Sequence, residues 1–270
     1  MKILKNINDL KKAINGVKDL GFVPTMGGIH DGHISLIKES KKKSKKTLVS
    51  IYVNPNQFND LIDFKKYPRR ITKDLKKMKK LKINYLFLPN TKNIYHPKRR
   101  RKIFIKKREK IMCAKYRKGH FEGVLDIMDR FINIIQPKFV FMGKKDFQQF
   151  FLVKEYMKNK YKTKIISCKT IRDNNFLPLS TRNFLLSKKD IKKAGIISFF
   201  LYNFKKNIIK QKNINKFLLN LKNKLQKKFN INIEYLQLKN EKKLNQYKKK
   251  CKSRLFIAYY IKEVRLIDNF

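Results

Sequence analysis

Two of the chain's four histidines, His30 and His33, fall inside the string GFVPTMGGIHDGHISLIKES from Gly21 to Ser40. A spacing of three places both imidazoles on one side of a helical turn. A strand-like run enters Gly27-Gly28, where backbone can approach a ligand closely. A helix start follows, with unpaired N–H groups and the positive end of its dipole. Together these make a site for a triphosphate being attacked at its α-phosphorus. Imidazole suits that task because it donates hydrogen bonds to phosphate oxygens and to the leaving pyrophosphate. An isolated HxxH is a weak signal, since surface histidines often share that spacing. Strand, paired glycines and helix make it a strong one.

Other groups sit in comparable places. In VNPNQF, Asn54 and Gln57 follow an apolar run, at the carboxyl edge where α/β sheets bind ligands. A neutral amide can donate to and accept from a hydroxy acid without neutralising a nucleophile. The plainer alternative is an Asn-Pro turn. GKKD, Gly143 to Asp146, also follows a strand and opens a helix. Lys145 is placed to neutralise phosphate charge, and Asp146 to accept from a ribose hydroxyl or to cap the helix. In a chain with 57 lysines that motif alone says little. His120, in RKGHF, reads as a structural loop histidine, and Arg69 and Arg70 as helix-entry and surface residues. Asp74 is a conceivable Mg²⁺ contact, but Mg²⁺ keeps mostly waters and substrate phosphates, so no protein ligand is assigned.

The elements that must position these groups alternate as in an α/β domain with a parallel sheet. Strands are expected at Gly21–Val23, Leu48–Val53, Tyr85–Leu88, Phe139–Met142 and Lys164–Cys168. Helices are expected at Ser35–Lys45, Thr72–Leu81, Val124–Ile135 and Phe147–Asn159. After about Ile171 the texture changes to two Lys-rich helical stretches, Lys188–Lys210 and Ile214–Lys228. Two strand-like runs follow, Ile231–Leu238 and Leu255–Val264, which read as a smaller α+β domain. The expected domains are 1-172 and 173-270.

Composition bounds the rest. With 270 residues, 42% hydrophobic and 12% aromatic, the chain can build one large core or two modest ones. No apolar run approaches the ~20 residues that cross a bilayer. The N-terminus lacks a secretory pattern, and Cys113, Cys168 and Cys251 are too few and scattered for a disulfide framework or a zinc site. A cytoplasmic protein with reduced thiols is expected. The net charge of +50 suggests a polyanion partner. Yet 57 of the 69 basic residues are Lys, and Asn, Ile and Phe are abundant, as AT-rich codons would produce. Dedicated readers of nucleic acid lean on Arg. Nucleic acid is therefore expected to bind only non-specifically.

Taken together, PTMGGIHDGH, VSIYVNPNQFND, YPRRITKDL, RKGHFEGV, QPKFVFMGKKDFQQ, TIRDNNFLPLSTRNFLLS and VRLIDN resemble, in order and in register, the pantothenate synthetase (pantoate–β-alanine ligase) family of HxGH nucleotidyltransferases. The resemblance implies a Rossmann-like parallel sheet with helices on both faces, a smaller C-terminal lid-like domain and a homodimer. It implies Mg²⁺–ATP as substrate and the condensation of (R)-pantoate with β-alanine through a pantoyl adenylate, without a membrane partner. ATP contacts carry over to Met26, Gly27, Gly28, Ile29, His30, Asp31, Gly32 and His33. They carry over also to Gly143, Lys144, Lys145 and Asp146, and to Ile171, Leu179, Ser180, Thr181 and Arg182. His33 and His30 would be catalytic, with His33 the better proton donor. Gln57, Gln149 and Asn54 would hold pantoate and β-alanine. Two departures stand out: Lys144 replaces a usual Glu, and Thr181 replaces a second serine while keeping a hydroxyl. An adenylyltransferase with the same histidine motif would not be expected to share VNPNQF and KDFQQ.

Overall fold

A computed structural model describes residues 1–95, 103–248 and 251–270. Among them the strands are β1 (Lys2–Leu4), β2 (Leu20–Thr25), β3 (Lys46–Ile51), β4 (Tyr85–Phe87), β5 (Phe139–Gly143), β6 (Lys164–Cys168), β7 (Asn232–Asn240), β8 (Ser253–Ile261) and β9 (Val264–Asn269). The helices are α1 (Ile7–Ile14), α2 (Asp31–Lys43), α3 (Leu61–Lys66), α4 (Ile71–Lys80), α5 (Thr91–Ile94), α6 (Cys113–Tyr116), α7 (His120–Ile135), α8 (Phe147–Met157), α9 (Lys188–Ile209) and α10 (Ile214–Phe229). The chain divides into two compact units, Met1–Ile105 with Arg117–Lys169, and Lys106–Tyr116 with Thr170–Phe270.

The first unit is a parallel sheet in the order β1-β4-β3-β2-β5-β6. Its central strands β2, β3 and β5 are mostly buried because both faces are covered, whereas the edge strands β1 and β6 are partly exposed. Phe22 and Phe87 project to one face, where the Phe131 ring of α7 meets them edge-on at 5.6 and 6.1 Å. Val23, Val49, Leu86 and Phe141 project to the other and pack with Leu36 and Ile37 of α2. The chain leaves β2 for β3 on one side, whereas β5 pairs with β2 on the other. Strand order therefore reverses between β2 and β5, and a sheet of this kind binds ligands outside the carboxyl ends at that point. The segments leaving those two ends are Met26–His30 and Gly143–Asp146.

The second unit pairs β7, β8 and β9 antiparallel, with the apolar faces of α9 and α10 contributing to its core. Arg172 anchors the entry into this unit through a two-pronged ion pair with buried Asp268, at 2.7 and 2.9 Å. Segment 106–116 belongs here too: Cys113 Sγ lies 3.0 Å from the Tyr235 hydroxyl, and Tyr116 donates to the Glu234 carbonyl. A single cut at 172/173 did not anticipate that excursion.

Three other departures from sequence expectation have local causes. Helix α2 starts at Asp31, ahead of the apolar period, because His30 and His33 cap it. Helix α7 starts at His120 because Gly119, at φ +79°, turns the chain into it. The run Leu255–Val264 divides into β8 and β9 at a tight turn where Lys262 adopts a left-handed backbone. Strand β1 and helix α1 were not expected. A three-residue strand has no period of its own and exists through its pairing with β4. No helix among the described residues is long and apolar enough to cross a membrane.

Candidate active site

Strand β2 delivers the chain to Gly27 and Gly28, at φ +81° and +62°. A Cβ on Gly27 would stand 3.1 Å from both Asp74 Oδ2 and Ile51 Cγ2, so glycine answers to both conformation and space. Asp74, almost fully buried on α4, accepts from the N–H groups of Gly28 and Ile29 at 2.8 Å each. Lys77, one turn further along α4, donates to the Ile29 carbonyl. The turn that presents the histidines is thus held on both its N–H and C=O sides by one neighbouring helix.

His30 is the N-cap of α2, and its Nδ1 accepts from the Gly32 N–H at 3.1 Å. His33 Nδ1 accepts in return from the His30 N–H at 3.5 Å, which completes a capping box built from imidazoles. The two rings lie 4.0 Å apart between centroids. Because each Nδ1 accepts, each neutral ring carries its proton on Nε2. Burial, then the neighbouring His33, Lys145 and Lys77, push His30 down to about 2. Burial also pushes His33 down to about 4; Asp146 opposes that fall, and Lys145 and Lys77 add to it. Both rings are neutral near pH 7 in the free protein. His33, expected as the better proton donor, is there equipped to donate a hydrogen bond from Nε2–H.

The second expected group adjoins the first. Gln57 is buried, and its Nε2 lies 2.8 Å from Met26 Sδ. Asn54 is committed internally: its Nδ2 donates to the Gly123 carbonyl at 3.1 Å, and its Oδ1 accepts from the Tyr95 hydroxyl at 2.9 Å. It therefore shapes the wall that carries Gln57. His120 serves the same loop, with Nδ1 2.7 Å from the Gln57 carbonyl oxygen and Nε2 2.9 Å from the Arg117 guanidinium. Gly123 makes room for this loop, because a Cβ there would meet the Asn56 carbonyl oxygen at 2.1 Å.

At the end of β5, Lys145 lies 3.3 Å from Asp146 and both act electrostatically on His33. Asp146 precedes α8 without capping it. Gln149 lies in the first turn of α8, Asp31 and Gly32 in that of α2, and Lys144 opens the turn after Gly143. In the second unit, Leu179 N–H pairs with the Ile171 carbonyl, and Ser180 Oγ caps a short turn by accepting from Arg182 N–H. Thr181 in that turn is buried. Sequence reasoning missed Lys77 and the Asp74 clamp. Their spacing of three on an amphipathic helix was a readable signal, but nothing in the spacing says which backbone they face. Among the described residues no cluster of three His, Cys, Asp or Glu could hold a metal ion. Both Asp74 oxygens are taken by backbone N–H groups.

A doubly wound parallel sheet whose reversal point carries a Gly-Gly turn and two adjoining imidazoles, tilted 34° to one another, defines an HxGH-type nucleotide-binding α/β protein. The family model for pantoate-beta-alanine ligase matches residues 2–270, and the chain belongs to that family. A pantothenate synthetase of Francisella philomiragia is 38% identical over 275 residues, spanning 100% of this chain and 97% of that one. The crystal structure of a Francisella tularensis pantoate-beta-alanine ligase complexed with beta-gamma ATP and beta-alanine superposes with a TM-score of 0.86 at 37% identity, covering 100% of this chain and 97% of that one. A pantothenate synthetase from Thermus thermophilus gives 0.92 at 26% identity, covering 100% and 99%.

Proposed function

We propose that this ligase joins (R)-pantoate to β-alanine in two half-reactions. A pantoate carboxylate oxygen attacks the α-phosphorus of ATP, the bond to the bridging oxygen breaks, and pyrophosphate leaves. The amine of β-alanine then attacks the acyl carbon of pantoyl adenylate, loses a proton and expels AMP. No step needs a covalent enzyme nucleophile. Catalysis rests on positioning and on stabilising phosphate charge as it develops.

The turn Met26–His33, whose N–H groups at Gly27, Gly28, Ile29, His30, Gly32 and His33 are already bonded within the protein, borders the nucleotide, and the Nε2–H groups of His30 and His33 donate to oxygens at the reacting phosphorus. Lys145 neutralises the phosphate tail. Gln57 and Gln149 bind pantoate, with Asn54 and His120 setting the loop of Gln57. The roles of Ser180, Thr181, Arg182, Lys144, Asp146 and the Ile171–Leu179 main chain rest on family resemblance, as do a homodimer and a cytoplasmic location. Mg²⁺ enters as part of the nucleotide substrate, held mainly by phosphates and water.

The observation that carries this reading is the contact between Gln57 and Met26, which makes the amide loop and the phosphate turn neighbours. The test is AMP release by purified protein. Turnover should require pantoate and β-alanine together, and omission of the amine alone should leave enzyme-bound pantoyl adenylate. Release of AMP that ignores pantoate would refute it.

A further inference from the structure

Helix α4 grips the imidazole turn through two side chains spaced to share one face. Asp74 takes the N–H groups of Gly28 and Ile29, and Lys77 Nζ donates to the carbonyl of Ile29. That carbonyl and the His30 N–H are the two ends of a single peptide group, and the His30 N–H is the donor to His33 Nδ1. Met78, the next residue, is fully buried in the same apolar cluster as Ile29, so the helix is fixed against the turn it holds. We propose that Lys77 is a positioning residue for the ligase reaction, acting through the Ile29–His30 peptide group to hold His33 in the tautomer that presents Nε2–H to the nucleotide. The proposal deepens the function proposed above and rests on it.

The physical basis is polarisation along a hydrogen-bonded chain. A cation on a peptide oxygen draws electron density from the nitrogen and strengthens its N–H as a donor. At 3.5 Å the His30 N–H to His33 Nδ1 contact is the weak link of that hydrogen-bonded chain, so the tautomer it selects depends on the strength of its donor. Among the described residues, the elements packed at the rings bring these titratable and charged groups to them. Helix α4 supplies Lys77 and Asp74, the turn after β5 supplies Lys145 and Asp146, and α2 itself supplies Asp31 and the partner imidazole. Lys77 and Lys145 oppose protonation of both rings, and Asp146 favours protonation of His33. Lys77 therefore works in one direction by two routes, through the peptide group and through space. Lys145 has only the second.

The test uses the full chain with isotope-labelled histidine and no substrate, assigned with His33→Gln. In Lys77→Met, ¹⁵N shifts should show a growing Nδ1–H population on His33, with its titration midpoint raised by about one unit. In parallel assays kcat should fall about tenfold while KM for β-alanine changes less than about twofold. Lys77→Gln keeps a donor without the charge and should lie between Met and wild type. Lys77→Arg should restore both readouts. An unchanged tautomer and midpoint for His33 in folded Lys77→Met or Lys77→Gln would overturn the proposal whatever the activity. A wild-type chain that makes no pantothenate would overturn the function proposed above while leaving the histidine readout to be judged by itself.

Discussion

At the scale of single residues, the histidine pair stores a pH dependence whose sign follows from its burial. Folded His33 titrates near 4 against an ordinary 6.5, so the unfolded chain binds the proton first as pH falls. At pH 7 both states are neutral at this residue and nothing is lost. Between about 6.5 and 4 the folded state loses stability, by at most about 1.4 kcal/mol per pH unit. Because the ring is not wholly sealed from solvent, the realised slope should be lower. Urea midpoints of wild type and His33→Gln at pH 7 and pH 5 measure it. The wild type should lose more on acidification, and parallel losses would exclude the effect. Asp74 makes a second prediction. Removing both of its charge-assisted bonds in Asp74→Ala should cost about 2–4 kcal/mol in the same assay, and Asp74→Asn, which retains one acceptor, about half as much.

At the scale of elements, the substrate loop is shaped by a helix distant from it in sequence. Helix α7 lies against the turn Pro55–Gln57, and the fit depends on hydrogen at the α-carbon of Gly123. Gly123→Ala drives a Cβ into backbone, which cannot rotate away, so the turn must shift. We expect a loss of about 1–3 kcal/mol and a raised KM for pantoate. Gly119→Ala is the control: it has open space but a left-handed backbone, and should cost about 1 kcal/mol with KM unchanged. If both variants raise KM equally, the contact with the turn is not the cause. His120 illustrates the same point. Read from sequence as a structural loop histidine, it stands at the start of α7, where its two ring nitrogens are engaged by the Gln57 carbonyl and Arg117.

At the scale of the whole molecule, a net charge of +50 on 270 residues sets behaviour in solution more than it sets function. Self-repulsion should make the thermal midpoint rise as salt is added from low ionic strength. Adsorption to duplex DNA should weaken by orders of magnitude between about 50 and 200 mM salt, without sequence preference. Binding that survived such salt would point to a dedicated nucleic-acid surface. Lysine's prevalence over arginine is in keeping with the first outcome.

The amino-acid sequence by itself determined the parallel α/β class, the place of the imidazole turn, the amide loop and the Lys-Asp turn, and the family. Strand periods, glycine pairs and short motifs are local, and a local pattern survives in one dimension. The partners of those motifs are not local. Asp74 and Lys77 meet backbone far earlier in the chain, at Gly28 and Ile29, and Gly123 meets a turn more distant still, at Asn56. Segment 106–116 joins a unit resumed only at 170. The capping box that leaves the proton of each imidazole on Nε2 is itself local; the tertiary structure alone decided which helix holds that turn, because the Asp74 and Lys77 contacts exist only where packing brings α4 within reach.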